Sequence, residues 1–138
     1  MALAIVGLIS TAAAYAATNI SGQVLGGGAP IAGSTVTLWA ASAGAPKELA
    51  QARTGADGRF ALTVPDTRGA HTSLYLVAQR GQPTANKTSG DNPAIALMTV
   101  LGSNPPAKVT INEMTTVASV WTHAQFLDGT AIKGHALQ

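Results

Sequence analysis

The chain has 138 residues, which is the length of one ordinary domain. Apolar residues make up 46% of it, charged residues only 10%, and the net charge is +2. This composition excludes an intrinsically disordered chain, which combines low hydrophobicity with high net charge. The eight basic residues are scattered and form no basic run, so the sequence predicts no nucleic-acid binding.

Metal and cofactor chemistry also find little support in the sequence. Cysteine is absent, which excludes disulfide bonds and thiolate metal sites. The aspartates do not fall at the alternating spacing of a calcium loop, and no His-Glu-x-x-His pattern occurs. The sequence therefore predicts neither a metal nor a cofactor.

The first 17 residues, "MALAIVGLISTAAAYAA", are typical of a secretory signal peptide. Ala2–Ile9 forms a short apolar core, and Ala14-Tyr15-Ala16 is a small-x-small cleavage site, although no basic residue precedes the core. The alternative is an uncleaved membrane anchor, but the apolar stretch falls short of the ~20 residues that a span requires. We expect cleavage near residue 17, a secreted or cell-surface location and no stable membrane span afterwards.

From Thr18 the chain alternates between short strand patterns and turns. "LGGGAPIAG" and "GADG" are turn clusters, and Asp57-Gly58 within the second is a strong hairpin signal. "SLYLVAQ" is apolar on both faces, which indicates a central, buried strand. Short strands separated by turns about every ten residues predict a β-sandwich. The predicted strands are "NISGQV", "STVTLWAAS", "ELAQART", "RFALTV" and "SLYLVAQ".

Within residues 20–81, four motifs carry a family resemblance. They are the opening strand Gly22–Val24, the turn Pro30–Gly33, the strand Val36–Leu38 and the Thr-x-x-Asp-Gly-x-Phe segment Thr54–Phe60. In this pattern the chain resembles the carboxypeptidase regulatory-like domain, which is close to transthyretin-like sandwiches. The resemblance implies a Greek-key, immunoglobulin- or prealbumin-like β-sandwich that contributes no catalytic residues.

The resemblance also implies a role. Such domains are accessory modules of secreted peptidases, or spacers and attachment modules of bacterial surface proteins. We therefore expect a non-catalytic bacterial module with a structural or interaction role, whose partner is another protein or another copy of the chain.

Residues 82–138 are expected to complete the same domain with a loop, further strands and a helix. Residues 94–102, "AIALMTVLG", fit either a strand or a short helix, because periodicity does not separate the two. Residues 112–128 predict an amphipathic helix that packs its apolar stripe on the sandwich and ends at Asp128-Gly129. The stripe comprises Val117, Ala118, Val120, Trp121, Ala124 and Leu127.

The start of this helix contains the carboxylate of Glu113. Thr110 and Glu113 fit a capping box, and Asn112 is the alternative cap. Glu113 and His123 are separated by ten residues, about 15 Å along a helix axis, which is too far for a proton relay. No Gly-x-Ser-x-Gly nucleophile motif occurs either, so the sequence predicts no enzyme active site.

Two surfaces are candidates for binding. Thr116, Ser119 and His123 fall on the polar side of the predicted helix and form a candidate interaction face. Trp39 lies opposite Val36 on its predicted strand and is a candidate platform for a sugar ring. A carbohydrate-binding module with a polysaccharide ligand is therefore one alternative function, and an accessory domain of a secreted hydrolase is another.

Overall fold

The computed structural model describes residues 17–65, 72–86 and 90–134. Residues 1–16, which carry nearly all of the predicted signal peptide, lie outside the described residues. The strands in chain order are β1 (Thr18–Gly26), β2 (Ala29–Ala32), β3 (Thr35–Ala40), β4 (Lys47–Arg53), β5 (Arg59–Val64), β6 (Leu74–Gln79), β7 (Gln82–Pro83), β8 (Ala96–Gly102), β9 (Lys108–Ile111), β10 (Leu127–Asp128) and β11 (Ala131–Ile132). Helix α1 (Glu113–His123) follows β9 and continues into a 3-10 turn, Ala124–Phe126.

Two sheets form the body of the molecule. The first has the order β5-β1-β2-β7, with β9 also paired to β1, and the second has the order β4-β3-β6-β8. The β1–β9 pair is parallel, whereas the other strand pairs of these two sheets are antiparallel. The predicted β-sandwich with a helix near its C-terminal end is confirmed. The ambiguous segment 94–102 is a strand over Ala96–Gly102.

Alternating side chains of both sheets fill the space between them. In β5, for example, Phe60, Leu62 and Val64 are buried while the residues between them are exposed. Burying these apolar side chains removes them from water and is the main force that holds the two sheets together. The buried core residues are Ile20, Val24, Ile31, Val36, Leu38, Ala40, Phe60, Leu62, Val64, Leu74, Leu76, Ala78 and Ile111.

Strand β6 is buried on both faces, as its apolar sequence predicts. Leu74, Leu76 and Ala78 face the core between the sheets. Tyr75 and Val77 face the other way and belong to a second apolar cluster, on the outer face of the second sheet. Something must therefore cover that outer face, and the C-terminal segment does so.

The C-terminal segment leaves the helix earlier than predicted. Helix α1 ends at His123, five residues before the predicted end, and the chain forms the β10–β11 hairpin with Gly129 (φ +61°) in its turn. Phe126 and Leu127 pack on the second cluster, which also contains the buried Ile132. Packing these side chains on the sheet outweighs continuing the helix into solvent.

A hydrogen bond attaches the C-terminal segment, which covers the outer face, to the second sheet. The Ile132 N–H donates to the hydroxyl of Tyr75 over 3.1 Å, and Tyr75 is 1% exposed. Burial raises the pKa of the Tyr75 hydroxyl, and the Ile132 hydrogen bond, a smaller effect, acts in the opposite direction. The cover is also joined to the loop after β3, because the Gly134 N–H donates to the Ser42 carbonyl over 2.6 Å.

The two Gly-rich turns connect strands in different ways. Gly27 and Gly28, at φ +59° and +81°, make the turn of the β1–β2 hairpin. Asp57-Gly58 also forms a turn, but the prediction of a hairpin there is wrong, because β4 pairs with β3 and β5 pairs with β1. The turn carries the chain from one sheet to the other. A local turn signal specifies a chain reversal and leaves open which sheet the next strand joins.

Replacing Tyr75 with Phe tests the hydrogen bond under the C-terminal cover. The change leaves the Ile132 N–H buried without its acceptor, which we expect to lower the free energy of unfolding by about 1–3 kcal/mol. Urea denaturation of both proteins measures the difference. An unchanged unfolding free energy would mean that the hydroxyl does not hold the hairpin.

Candidate interaction face

Strand β8 is an edge strand of the second sheet, paired with β6 on one side only. Its other side carries backbone N–H groups that need a partner, and such an open edge invites pairing with another chain. Helix α1 supplies the partners. The Met98 N–H donates to Oγ1 of Thr116 over 3.0 Å, and the Val100 N–H donates to Oγ of Ser119 over 3.1 Å.

A third hydroxyl completes the contact with β8. Oγ1 of Thr115 donates to the Met98 carbonyl over 2.9 Å. The helix therefore lies along the strand through hydrogen bonds from its hydroxyl side, in the place that a further strand would otherwise take. Ser119 is only 5% exposed, and Thr115 and Thr116 are half-buried.

The start of α1 is set by Asn112. Its Oδ1 accepts the Thr115 N–H over 2.9 Å, while Oγ1 of Thr115 accepts the Asn112 N–H over 3.0 Å. The capping box thus joins Asn112 and Thr115, and the predicted box between Thr110 and Glu113 is wrong. Thr110 is held in β9 by pairing opposite Gln23, so it is extended and too early to cap the helix.

The carboxylate of Glu113 makes a contact that the sequence did not predict. Its Oε1 accepts the N–H of Gly27, in the β1–β2 turn, over 2.6 Å. This bond, together with the backbone N–H of Glu113 itself, holds the pKa of the carboxyl below its usual value. The carboxylate therefore ties the first turn of α1 to the β1–β2 turn of the first sheet.

These contacts place the apolar side of α1 outward. Met114 is 75% exposed, Val117 63%, Val120 43% and Trp121 84%. The prediction that this stripe packs on the sandwich is wrong for Val117, Val120 and Trp121, whereas Leu127, beyond the end of α1, does pack on the second sheet. An edge strand requires hydrogen-bond partners, which the hydroxyl side of the helix supplies and the apolar side does not. We call Met114, Val117, Ala118, Val120 and Trp121 the apolar helix face.

The predicted polar interaction face points toward the sheet. Thr116 and Ser119 are bonded to β8, as described above. His123 is half-buried, and its Nδ1 lies 2.7 Å from Oγ1 of Thr122 and 3.1 Å from the Ser119 carbonyl oxygen. Thr116 and Ser119 therefore hold the helix on β8, His123 bonds only within the helix, and a partner approaching α1 from solvent meets the apolar helix face instead.

Trp39 is not an open platform. It is partly buried on the outer face of the second sheet, where it packs against the cluster that contains Tyr75 and Ile132. The double-sided apolar pattern of β6 was the sequence signal that this face would be covered. The exposed indole of the described chain is that of Trp121, on the apolar helix face.

The first sheet carries a shallow hollow on its surface. It lies over Gly22, where a Cβ would come within 2.5 Å of the Val109 carbonyl oxygen. Its rim carries Arg59 and Lys108. Arg59 is largely exposed and faces Asp57 at 3.7 Å, so part of the positive charge at this rim is balanced.

The described ranges contain no group of three or more His, Asp or Glu side chains placed to hold a metal ion. Within the same ranges, no helix has the length and apolar character needed to cross a membrane. Ion pairs lie at the surface, for example Arg80 with Asp91 and Lys133 with Asp128. Among the described residues, the apolar helix face is therefore the feature that most needs a functional explanation.

Comparisons with known proteins assign no family to the chain. No family model matches it, and no curated protein matches its sequence. Among solved structures, it is similar to a 9R-lipoxygenase from Cyanothece PCC8801, with 18% sequence identity and a TM-score of 0.42. That match covers 70% of this chain but only 16% of the lipoxygenase chain, and a similarity at this level carries no argument about function.

Replacing Ser119 with Ala tests the contact between α1 and β8. The change leaves the Val100 N–H without its acceptor, and we expect a loss of about 1–2 kcal/mol in the free energy of unfolding. Thr122→Ala is the matched control, because the Thr122 hydroxyl bonds only within its own helical segment and we expect a change within about 0.5 kcal/mol. Equal effects of the two variants on urea denaturation would contradict this contact.

Replacing Glu113 with Gln tests the bond to Gly27 through its pH dependence. Because the folded-state pKa of Glu113 is lowered, its charged form stabilises the fold above the unfolded-state pKa, and this stability is lost as the pH falls through the folded-state pKa. We therefore expect a smaller decrease in unfolding free energy between pH 7 and pH 3 in Glu113→Gln than in the unmodified chain. Parallel pH profiles of the two proteins would show that Glu113 is not coupled to folding.

Proposed function

We propose that the chain is a non-catalytic, secreted or cell-surface β-sandwich module of bacterial type, which docks a protein partner through its apolar helix face. The observation that carries this proposal is the orientation of α1. Its hydroxyl side binds β8 and its Met, Val and Trp side chains point to solvent. A contiguous exposed apolar patch of this kind marks an interaction surface in soluble proteins.

The residue types on this face favour a protein partner. Aromatic residues and Met are enriched at the centres of protein interfaces, and Trp is prominent among the residues that dominate binding energy. Trp121 is 84% exposed, and Met114, two turns earlier on the same face, is 75% exposed. Covering both removes a large apolar area from water, which is the driving force for association.

The face is also held in a fixed orientation before any partner binds. Asn112 caps the helix, Glu113 ties it to the Gly27 turn, and Ser119 ties it to β8. A surface that is already ordered loses less conformational entropy on binding, so more of the burial energy contributes to affinity. This rigidity suits a spacer, an assembly subunit or an attachment module.

The two alternative functions fit the surface less well or reduce to the same role. A carbohydrate site needs an open aromatic platform beside hydrogen-bonding groups. Trp39 is covered in part, and the side chains that share the exposed face with Trp121 are apolar. An accessory domain of a hydrolase would use the same face, with the enzyme as its protein partner.

The secreted or cell-surface location is supported by the sequence of residues 1–17, with its apolar core and its Ala14-Tyr15-Ala16 cleavage pattern. The resemblance to the carboxypeptidase regulatory-like domain, over residues 20–81, supports the non-catalytic role. Neither depends on α1, which lies beyond both segments. The docking role and the location can therefore be tested separately.

A photo-cross-linking residue at position 117, in the full chain produced in its own cells, tests the docking role. We expect a covalent adduct at this position, in an extracytoplasmic fraction, because Val117 lies on the apolar helix face. The same residue at position 61 is the control, since Ala61 is exposed on the outer side of β5 and away from the core. Adducts absent at 117, or equally frequent at 61, would contradict docking through this face.

A further inference from the structure

We propose that the partner of the apolar helix face is a second copy of this chain, and that two α1 helices pair antiparallel about a two-fold axis. This inference rests on the proposed function and names the partner of the same face. Four side chains of the face, at positions 114, 117, 118 and 121, have the i, i+3, i+4, i+7 spacing of a helix-packing seam. Such a seam is shaped to receive another helix.

The seam is self-complementary when the axis passes between Val117 and Ala118. Antiparallel pairing then sets Met114 of each copy against Trp121 of the other, because both lie about equally far from the axis. A thioether beside an aromatic ring is a favourable contact. Ala118, next to the axis, is small enough to let the helices approach to the ~8–10 Å of ordinary helix packing. Both copies use the same surface, as a closed two-fold dimer requires.

The charges on α1 agree with this arrangement. The helix carries Glu113 in its first turn and His123 in its last turn, and it has no Lys or Arg. Antiparallel pairing opposes the two helix dipoles and places the two Glu113 carboxylates at opposite ends of the paired helices, so these like charges are kept apart. Parallel pairing would instead set the two Glu113 carboxylates beside each other.

The same charge pattern favours a second copy over a lipid surface. Interfacial helices that bind membranes carry Lys or Arg on their polar side, where these residues meet anionic headgroups. The polar side of α1 has no such residue, and the hydroxyls of Thr116 and Ser119 are already bonded to β8. A docked lipid surface would therefore gain apolar contact but no electrostatic attraction from this helix.

The exposed area bounds the strength of the dimer. Met114, Val117, Val120 and Trp121 together expose roughly 500 Å² of side-chain surface per copy, given ordinary side-chain areas. Over two copies this is about 1,000 Å², at the lower limit for a specific interface. We therefore expect a weak dimer whose population rises with protein concentration in the micromolar range.

The absence of cysteine from the chain permits a clean cross-linking test. In Ala118→Cys the two introduced thiols lie beside the proposed axis, and mild oxidation of the full-length variant is expected to give a disulfide-linked dimer. In Met114→Cys the two thiols are separated by about 10 Å along the helices, beyond the reach of a disulfide. Ala61→Cys, on the exposed side of β5, is the control for random collisions.

The expected result is cross-linking of Ala118→Cys at least tenfold faster than of either other variant. Rapid cross-linking of Met114→Cys with itself would indicate parallel helices and overturn the antiparallel geometry. Equal rates for Ala118→Cys and Ala61→Cys would overturn self-association through α1. These outcomes report only contacts between copies, whereas an adduct at position 117 in cells can form with a second copy or with a different protein.

Sedimentation velocity of the full chain over a range of concentrations gives the second readout. We expect a monomer–dimer equilibrium that Trp121→Ala shifts at least tenfold toward monomer and that Thr122→Ala leaves unchanged. A monomer at every concentration overturns the inference, as does Trp121-dependent binding to phospholipid vesicles without dimerisation. If position 117 then still forms adducts with a different protein in cells, the proposed function stands and only the identity of the partner is wrong.

Discussion

Two backbone N–H groups on the free edge of β8 determine how the C-terminal part of the described chain is arranged. Met98 and Val100 are paired to β6 on one side only, and their outward N–H groups are met by the hydroxyls of Thr116 and Ser119. An open strand edge invites pairing with other chains, and covering it with a helix is one way to prevent that. Because the covering contact is polar, the helix turns its apolar side to solvent.

The same C-terminal segment covers two parts of the second sheet, its edge and its outer face. Helix α1 closes its β8 edge, and the hairpin that follows covers its outer face through Phe126, Leu127 and Ile132. Glu113 joins the helix to the first sheet at Gly27, so the cover contacts both halves of the sandwich. The exposed Trp121 is therefore carried by a firmly attached helix, which makes its exposure a property of the fold and a reason to expect a partner.

Much of the sandwich could be predicted from the sequence, because its strands follow the simple rule of alternating burial. The double-sided apolar pattern of β6 even indicated a cover for the outer sheet face. Which side of α1 faces the sheet could not be predicted in the same way. Its amphipathic pattern fixes two opposite sides, yet it does not say whether the neighbouring surface needs apolar area or hydrogen-bond partners.

The prediction of the candidate site depended on which side of α1 was assigned to the sheet. With the apolar stripe assigned to the core, the polar residues Thr116, Ser119 and His123 became the candidate interaction face, and Trp121 was hidden. The unpaired edge of β8 reverses both assignments, and strand order within a sheet is set by contacts between residues far apart in the sequence. The helix cap was missed for a similar reason: Thr110 belongs to β9, and Glu113 bonds to a turn 86 residues away.

Amide hydrogen exchange at Met98 and Val100 tests the central claim most directly. If the hydroxyls of α1 close the β8 edge, both amides are protected in the folded chain, and Ser119→Ala increases the exchange rate at Val100 more than at Met98. If α1 instead packs its apolar side on the sandwich, these two outward amides lack their hydroxyl acceptors. Ser119→Ala would then leave the exchange rate at Val100 unchanged, and the account of the helix and of its apolar face would be wrong.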